Sequence, residues 1–175
     1  QLSAIADACD ELLHEGAGDV LVFLPTERDI RIVAKHLGGH HKRYGNERGV
    51  ETLPLYARLS QADQNKIFQP HNKRRIILAT NVAESSLTVP GIHYVVDTGL
   101  ARISRYAPRS KVQRLPIEAV SQASANQRSG RCGRLGPGVC IRLFIQLDYG
   151  SPSQSTTPEL RRTDFDEGLL QRLQR

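Results

Sequence analysis

Four short apolar runs constrain this chain more than anything else in it. They are Asp19 to Leu24 (DVLVFL), Arg74 to Ala79 (RRIILA), His93 to Asp97 (HYVVD) and Val139 to Phe144 (VCIRLF). A strand wetted on one face alternates apolar with polar; these runs do not, so they suit strands covered on both faces. Parallel strands need crossover connections, and helices supply both the crossover and the cover. The intervening segments have that character. Ile5, Cys9, Leu12 and Leu13 recur at helical spacing, which predicts a helix over residues 3–15 ended by Gly16 and Gly18. Thr26, with Asp29 three residues on, caps a second helix whose apolar stripe is Ile30, Val33, Ala34 and Leu37. Ser60 opens a third helix that runs to Phe68. Val50 to Tyr56 is a further strand, and Pro54 argues against a central place for it. The fold class is therefore α/β with a mainly parallel sheet.

The remaining segments are expected to be simpler. Gly38 to Gly49 is polar and glycine-rich, a surface loop holding His40 and His41 in solvent. Leu100 to Leu115 mixes apolar and basic residues about the turn signal Pro108-Arg109-Ser110, which predicts a β-hairpin studded with Arg102, Arg105, Arg109, Lys111 and Arg114. Ser121 caps a helix expected to carry Gln127, Arg128, Arg131 and Arg134. Residues 1–150 read as one domain. Residues 151–175 read as a linker followed by a charged helix, from Leu160 to Arg175, leading toward another module.

Charge points to the partner. The net charge is +6, with 19 arginines against 5 lysines. Arginine favours bidentate contact with phosphate, so a polyanion is expected. Cys9, Cys132 and Cys140 form no CxxC pair, which argues against a zinc ribbon or a redox motif and fits the cytoplasm. No apolar run approaches the ~18 residues a membrane span needs, and the first residues are acidic and amphipathic, unlike a signal peptide.

The densest basic stretch is Gln127 to Arg134, QRSGRCGR. On a helix, Arg131 and Arg134 would leave from nearly the same face. Gly130 and Gly133 strip side-chain bulk from beside them. In parallel α/β sheets, ligands bind beyond the carboxyl ends of the strands. Pro25 and Thr26, Thr80 and Asn81, and Asp97 and Thr98 occupy those ends.

Four motifs stand in order: LVFLPTERDI, LPLYARLSQADQNKIF, ATNVAESSLTVPGIHYVVDTGLARISRY and SQASANQRSGRCGRLGPGVCIRLF. Together they resemble the second RecA-like motor domain of DEAH-box ATP-dependent RNA helicases, most closely the bacterial HrpA-type. The resemblance covers about residues 1–150. It implies a RecA-like three-layer domain with an inserted β-hairpin. It implies that Gln127 helps place the attacking water and that Arg131 and Arg134 act as arginine fingers on the γ-phosphate, with Gly130 lining the cleft. It puts Phe68 against adenine, where the residue alone would read as core. It puts Asp97 at the ribose, with Thr98 where proline is common. Thr80, Asn81, Ser85 and Thr88 would contact the RNA backbone and couple it to nucleotide state. Thr26 and Arg28 would lie near RNA phosphates, and the hairpin, with Arg102, Arg105 and Arg109, would guide or separate strands. Arg128 is expected to be structural or to face nucleic acid.

The same resemblance implies ATP and Mg²⁺, held mainly by a first RecA-like domain, and 3′-to-5′ translocation by a cytoplasmic monomer on RNA. No GxxxxGK[ST] loop and no DEAH stretch occur in these residues. Asp10-Glu11-Leu12-Leu13-His14 only looks like one, since it falls on the first amphipathic helix. The fragment alone is expected to be inactive as an ATPase. Two other readings stay open: a non-catalytic basic nucleic-acid-binding module, and a related motor acting on DNA.

Overall fold

A computed structural model describes residues 2–43, 49–102, 105–107, 112–114, 117–132, 138–146, 159–162 and 171–173, with backbone alone at 105–107, 112–114, 144–146, 159–162 and 171–173. The chain begins α1 (Leu2–Glu15), β1 (Asp19–Phe23), α2 (Glu27–Arg43), β2 (Val50–Leu55), α3 (Gln61–Phe68) and β3 (Arg74–Ala79). A 3-10 turn, Asn81–Ala83, precedes β4 (Ile92–Asp97). Then come β5 (Leu100–Arg102), β6 (Arg105–Ala107), β7 (Val112–Arg114), β8 (Ile117–Ala119), α4 (Gln122–Ser129), β9 (Gly138–Gln146), β10 (Glu159–Arg162) and β11 (Gln171–Leu173).

The main sheet runs β10-β9-β4-β1-β3-β2, and β11 also pairs with β9. The pairings among β2, β3, β1, β4 and β9 are all parallel. All five residues of β1 are buried, which is why that run could be so uniformly apolar. One face packs Val20, Val22, Ile76, Leu78, Tyr94, Val96 and Ile141 against α1 and α2. The other packs Leu21, Phe23, Ile77 and Val95 against Ile67 of α3, Ala83 and Cys132. This is the α/β three-layer arrangement the sequence predicts. Pro54 lies in β2, the edge strand, where a missing donor is tolerated.

The entry into β1 is sterically fixed. Gly18 has φ +118°, and a Cβ there would fall 2.5 Å from the His93 ring, so both backbone and space demand glycine. Arg74 closes the same corner by donating to the carbonyls of Leu13 and Gly18.

Three expectations are corrected. The loop expected from Gly38 to Gly49 is helical through Arg43. Leu37 and His41 are buried on one face of that extension, and this burial offsets the cost of two glycines. His40 and His41 are not in open solvent, since His40 Nε2 bonds Asp10 Oδ2 at 2.5 Å across to α1. The helix expected from Leu160 to Arg175 is absent where the chain is described: β10 and β11 there pair antiparallel with β9. A strand edge with unpaired backbone groups is a strong local template, and it outweighs helix propensity. The expected linker, residues 151–158, lies outside the described residues.

The expected hairpin is present among the described residues: β6 pairs with β7, and β5 with β8, both antiparallel. Its turn, with Arg109, lies outside the described residues, as does the side chain of Arg105.

Candidate nucleotide and nucleic-acid site

The site forms where β1, β2 and β3 end. Thr26 Oγ1 accepts the Asp29 N–H at 3.1 Å, capping α2. Its hydroxyl is thus spent on the helix start, and the residue is buried. The open amide end of α2 carries partial positive charge. It faces a cleft of about 400 Å³ lined by Pro25, Thr26, Glu27, Arg28, Arg31, Tyr56, Ala57, Arg58, Thr80, Asn81 and Arg102. Five expected nucleic-acid residues therefore converge: Thr26, Arg28, Thr80, Asn81 and Arg102. Arg31, Tyr56 and Arg58 were not anticipated. Arg31 lies three residues after Arg28 on α2, and Arg58 follows the carboxyl end of β2, so helical spacing and the strand-end rule were the available signals.

Thr80 to Thr88 leads away from this cleft. Its start is a tight turn: the Ala83 N–H donates to Thr80 O at 3.3 Å and the Glu84 N–H to Asn81 O at 3.0 Å. Ser85 and Thr88 are exposed. The far end of the segment meets the arginine octamer. Arg131 donates to the carbonyl of Glu84 through Nε (2.7 Å) and Nη2, and its Nη1 lies 3.4 Å from Thr88 Oγ1.

The octamer is less helical than expected. Ser121 caps α4 as anticipated, its Oγ accepting the Ser124 N–H at 3.1 Å. The helix ends at Ser129, with Gly130 as its C-cap. A Cβ at Gly130 would sit 3.3 Å from Asn126 O, so glycine suits this tight exit. Arg131 lies in the turn beyond, and Arg134 lies outside the described residues. Gln127 and Gly130 are exposed on the last turn of α4.

Arg128 is wholly buried, the largest fully enclosed side chain described. Its Nε donates to Glu84 Oε1 at 2.8 Å, Nη1 to Asp97 Oδ1 at 2.8 Å and Nη2 to the Leu100 carbonyl at 3.1 Å. Its guanidinium lies 4.8 Å from the Phe23 ring centroid. Removing one partner of such a buried pair costs roughly 3–5 kcal/mol, because a charge is left uncompensated. Of the two roles expected for Arg128, the geometry fits the structural one.

Asp97 and Thr98 are also inside. Asp97 is 2% exposed, and its Oδ1 additionally accepts the Gly99 N–H at 2.8 Å, while Thr98 Oγ1 donates to Phe23 O at 2.6 Å. Gly99 makes that turn with φ +72°. In this conformation Asp97 serves Arg128 and the turn rather than an open face. Phe68 is the reverse case: the residue is 43% exposed at the end of α3, available for stacking rather than packed in the core. Among the described residues no group of three or more His, Cys, Asp or Glu side chains could hold a metal ion. No described helix is long and apolar enough to cross a membrane.

A parallel sheet between two helical layers, with arginines at its carboxyl edge, places the chain in the α/β class to which RecA-like domains belong. The family model "Helicase conserved C-terminal domain" matches residues 3–136, and the chain belongs to that family. It is 57% identical over 171 residues to the ATP-dependent RNA helicase HrpA of Escherichia coli, covering 98% of this chain and 13% of that protein. It is 44% identical over 162 residues to the human probable ATP-dependent RNA helicase DHX34, covering 90% of this chain and 14% of that one. The crystal structure of the E. coli DEAH/RHA helicase HrpB superposes with a TM-score of 0.69 at 42% identity, over 81% of this chain and 18% of HrpB. The chain thus spans about an eighth of the length of the HrpA relative.

Proposed function

We propose that this chain is the second motor domain of an ATP-dependent RNA helicase, and that it completes an ATP site held mainly by a first RecA-like domain. One observation carries the reading. The Thr80–Thr88 segment lines the basic cleft at one end, through Thr80 and Asn81, and holds Arg131 at the other. A single nine-residue stretch therefore touches both candidate ligand surfaces.

The chemistry fits each surface. Phosphoryl transfer through a loose transition state needs little covalent help and much charge neutralisation. Arg131 supplies a permanently charged planar fork, and exposed Gln127 lies on the last turn of α4 before it. Arg134 is proposed as a second finger from the same octamer. Phe68 offers an exposed ring to a base. On the other side Arg28, Arg31, Arg58 and Arg102, with Thr80, Asn81, Ser85 and Thr88, suit a sugar–phosphate backbone and read no base edge. RNA rather than DNA is favoured by the names of the relatives. Bound Mg²⁺ would neutralise phosphate charge, and its ligands are proposed to lie in the first domain. Loss of the γ-phosphate would release Arg131 and let the two domains part. The Thr80–Thr88 segment would pass that movement to the RNA, and the hairpin would turn 3′-to-5′ translocation into unwinding. A cytoplasmic monomer is proposed.

The test uses the longer protein that includes the phosphate loop. Arg131→Ala is expected to lower RNA-stimulated ATP turnover by roughly 10³-fold or more, as loss of an arginine finger does. Unchanged turnover with weakened RNA binding would replace this reading with that of a non-catalytic binding module.

A further inference from the structure

Both functional halves of Glu84 are engaged. Its carboxylate takes Arg128 Nε on Oε1 at 2.8 Å and Ser124 Oγ on Oε2 at 3.2 Å. Both donors belong to α4, the helix from which Arg131 departs. Its main-chain carbonyl takes the guanidinium of Arg131. So the side chain fastens residue 84 to α4, and the backbone of the same residue receives the arginine that leaves α4. Arg128 then carries the connection inward, to Asp97 Oδ1 and to the Leu100 carbonyl at the base of the hairpin ladder.

The sorting of charges matters as much as the distances. The Glu84 carboxylate takes Arg128, and the Glu84 main-chain carbonyl takes Arg131. Hydrogen bonds with an ionised donor or acceptor are stronger than neutral ones, and bidentate arginine–phosphate pairs are among the strongest. A phosphate, which accepts a guanidinium bidentately, binds it more strongly than a single carbonyl does.

We propose that Glu84 is a positioning residue for Arg131, docking it on the Thr80–Thr88 segment and linking that dock, through Arg128, to Asp97 and the hairpin base. This rests on the reading of Arg131 as the arginine that meets the ATP phosphates. Glu84 itself touches neither ATP nor RNA.

The test is a double-mutant cycle in the longer protein, reading kcat and KM for ATP at saturating RNA and the RNA concentration for half-stimulation. Glu84→Ala is expected to lower kcat roughly ten- to hundredfold, the scale of displacing a reacting group by about 1 Å. KM and RNA half-stimulation should stay within about twofold, since binding shared by ground and transition states is untouched. Glu84→Gln, which keeps an oxygen for Arg128, should recover most of the loss. Glu84→Ala combined with Arg131→Ala should be no slower than Arg131→Ala alone. Losses that multiply, an unchanged kcat, or an equal loss of RNA affinity would each overturn the proposal. If Arg131→Ala alone leaves turnover intact, the functional reading falls and takes this proposal with it, a result visible without any Glu84 variant. Should Glu84→Ala fail to fold, Ser124→Ala removes only the Oε2 bond, and the same cycle should show a drop of about two- to fivefold that vanishes beside Arg131→Ala. Additivity there overturns the proposal equally.

Discussion

His41 shows how burial makes a single side chain pH-sensitive. It is buried at the end of α2, and its Nε2 has no hydrogen-bond partner. Desolvation holds its pKa below the ordinary 6.5, against the pull of Asp10 and with a smaller push from His40. The folded state thus resists a proton that the unfolded chain accepts. Stability is therefore unaffected by His41 well above pH 6.5 and falls as pH drops through that value. We expect thermal melts to show a loss between pH 7.5 and 5.5 that His41→Leu reduces; superimposable pH profiles for the two proteins would refute this. The three thiols follow the same logic of burial, Cys9 being pushed up to about 12 and Cys132 up to about 11. These are core side chains, not nucleophiles. None of this was legible in the sequence, where His40-His41 sat in a polar glycine-rich stretch. Arg128 was only half legible. Its place in QRSGRCGR looked like that of its neighbours, and only the position of Glu84 and Asp97 around it decides that it faces inward.

Among the elements, those with strong periodicity and a cap were readable, and those decided by distant pairing were not. β1, β3 and β4 followed from unbroken apolar runs, and α3 and α4 from Ser60 and Ser121, each accepting a bond from the residue three on. β10 and β11 exist by pairing with β9, a partner that no local pattern reveals. α2 outruns its sequence signal because Gly38-Gly39 has the composition of a loop. Both glycines are helical, and a Cβ at either meets nothing within 4 Å. Gly38→Ala and Gly39→Ala should therefore each stabilise the fold by roughly 0.5–1 kcal/mol. The urea midpoint should rise at constant m-value, and a lowered midpoint would mean that the segment is not helical in solution.

For the molecule as a whole, the fold places most of its described functional candidates along one edge of the sheet, and the strand-end rule had made that edge legible. What could not be read was how the arginines divide: Arg28, Arg31, Arg58 and Arg102 line the cleft, Arg131 docks on Glu84, and Arg128 is internal. That division predicts the salt behaviour of RNA binding. Each phosphate contact contributes about 0.7 to the slope of log affinity against log salt on single strands. Arg58→Ala should lower the slope by about that amount, and by the same amount on unrelated sequences. A loss confined to one sequence would mean that the cleft reads bases.

The sheet order has a consequence for how the chain comes into being. β1 precedes both of its sheet neighbours in the chain, with Val20 taking its place between Ile76 and Tyr94. At about 5–20 residues added per second, DVLVF waits several seconds on the ribosome before either neighbour emerges. During that interval this apolar stretch lacks both of the strands that flank it in the finished sheet. The centre of the finished domain is thus a part of the nascent chain that waits, apolar and unpaired, for partners made later.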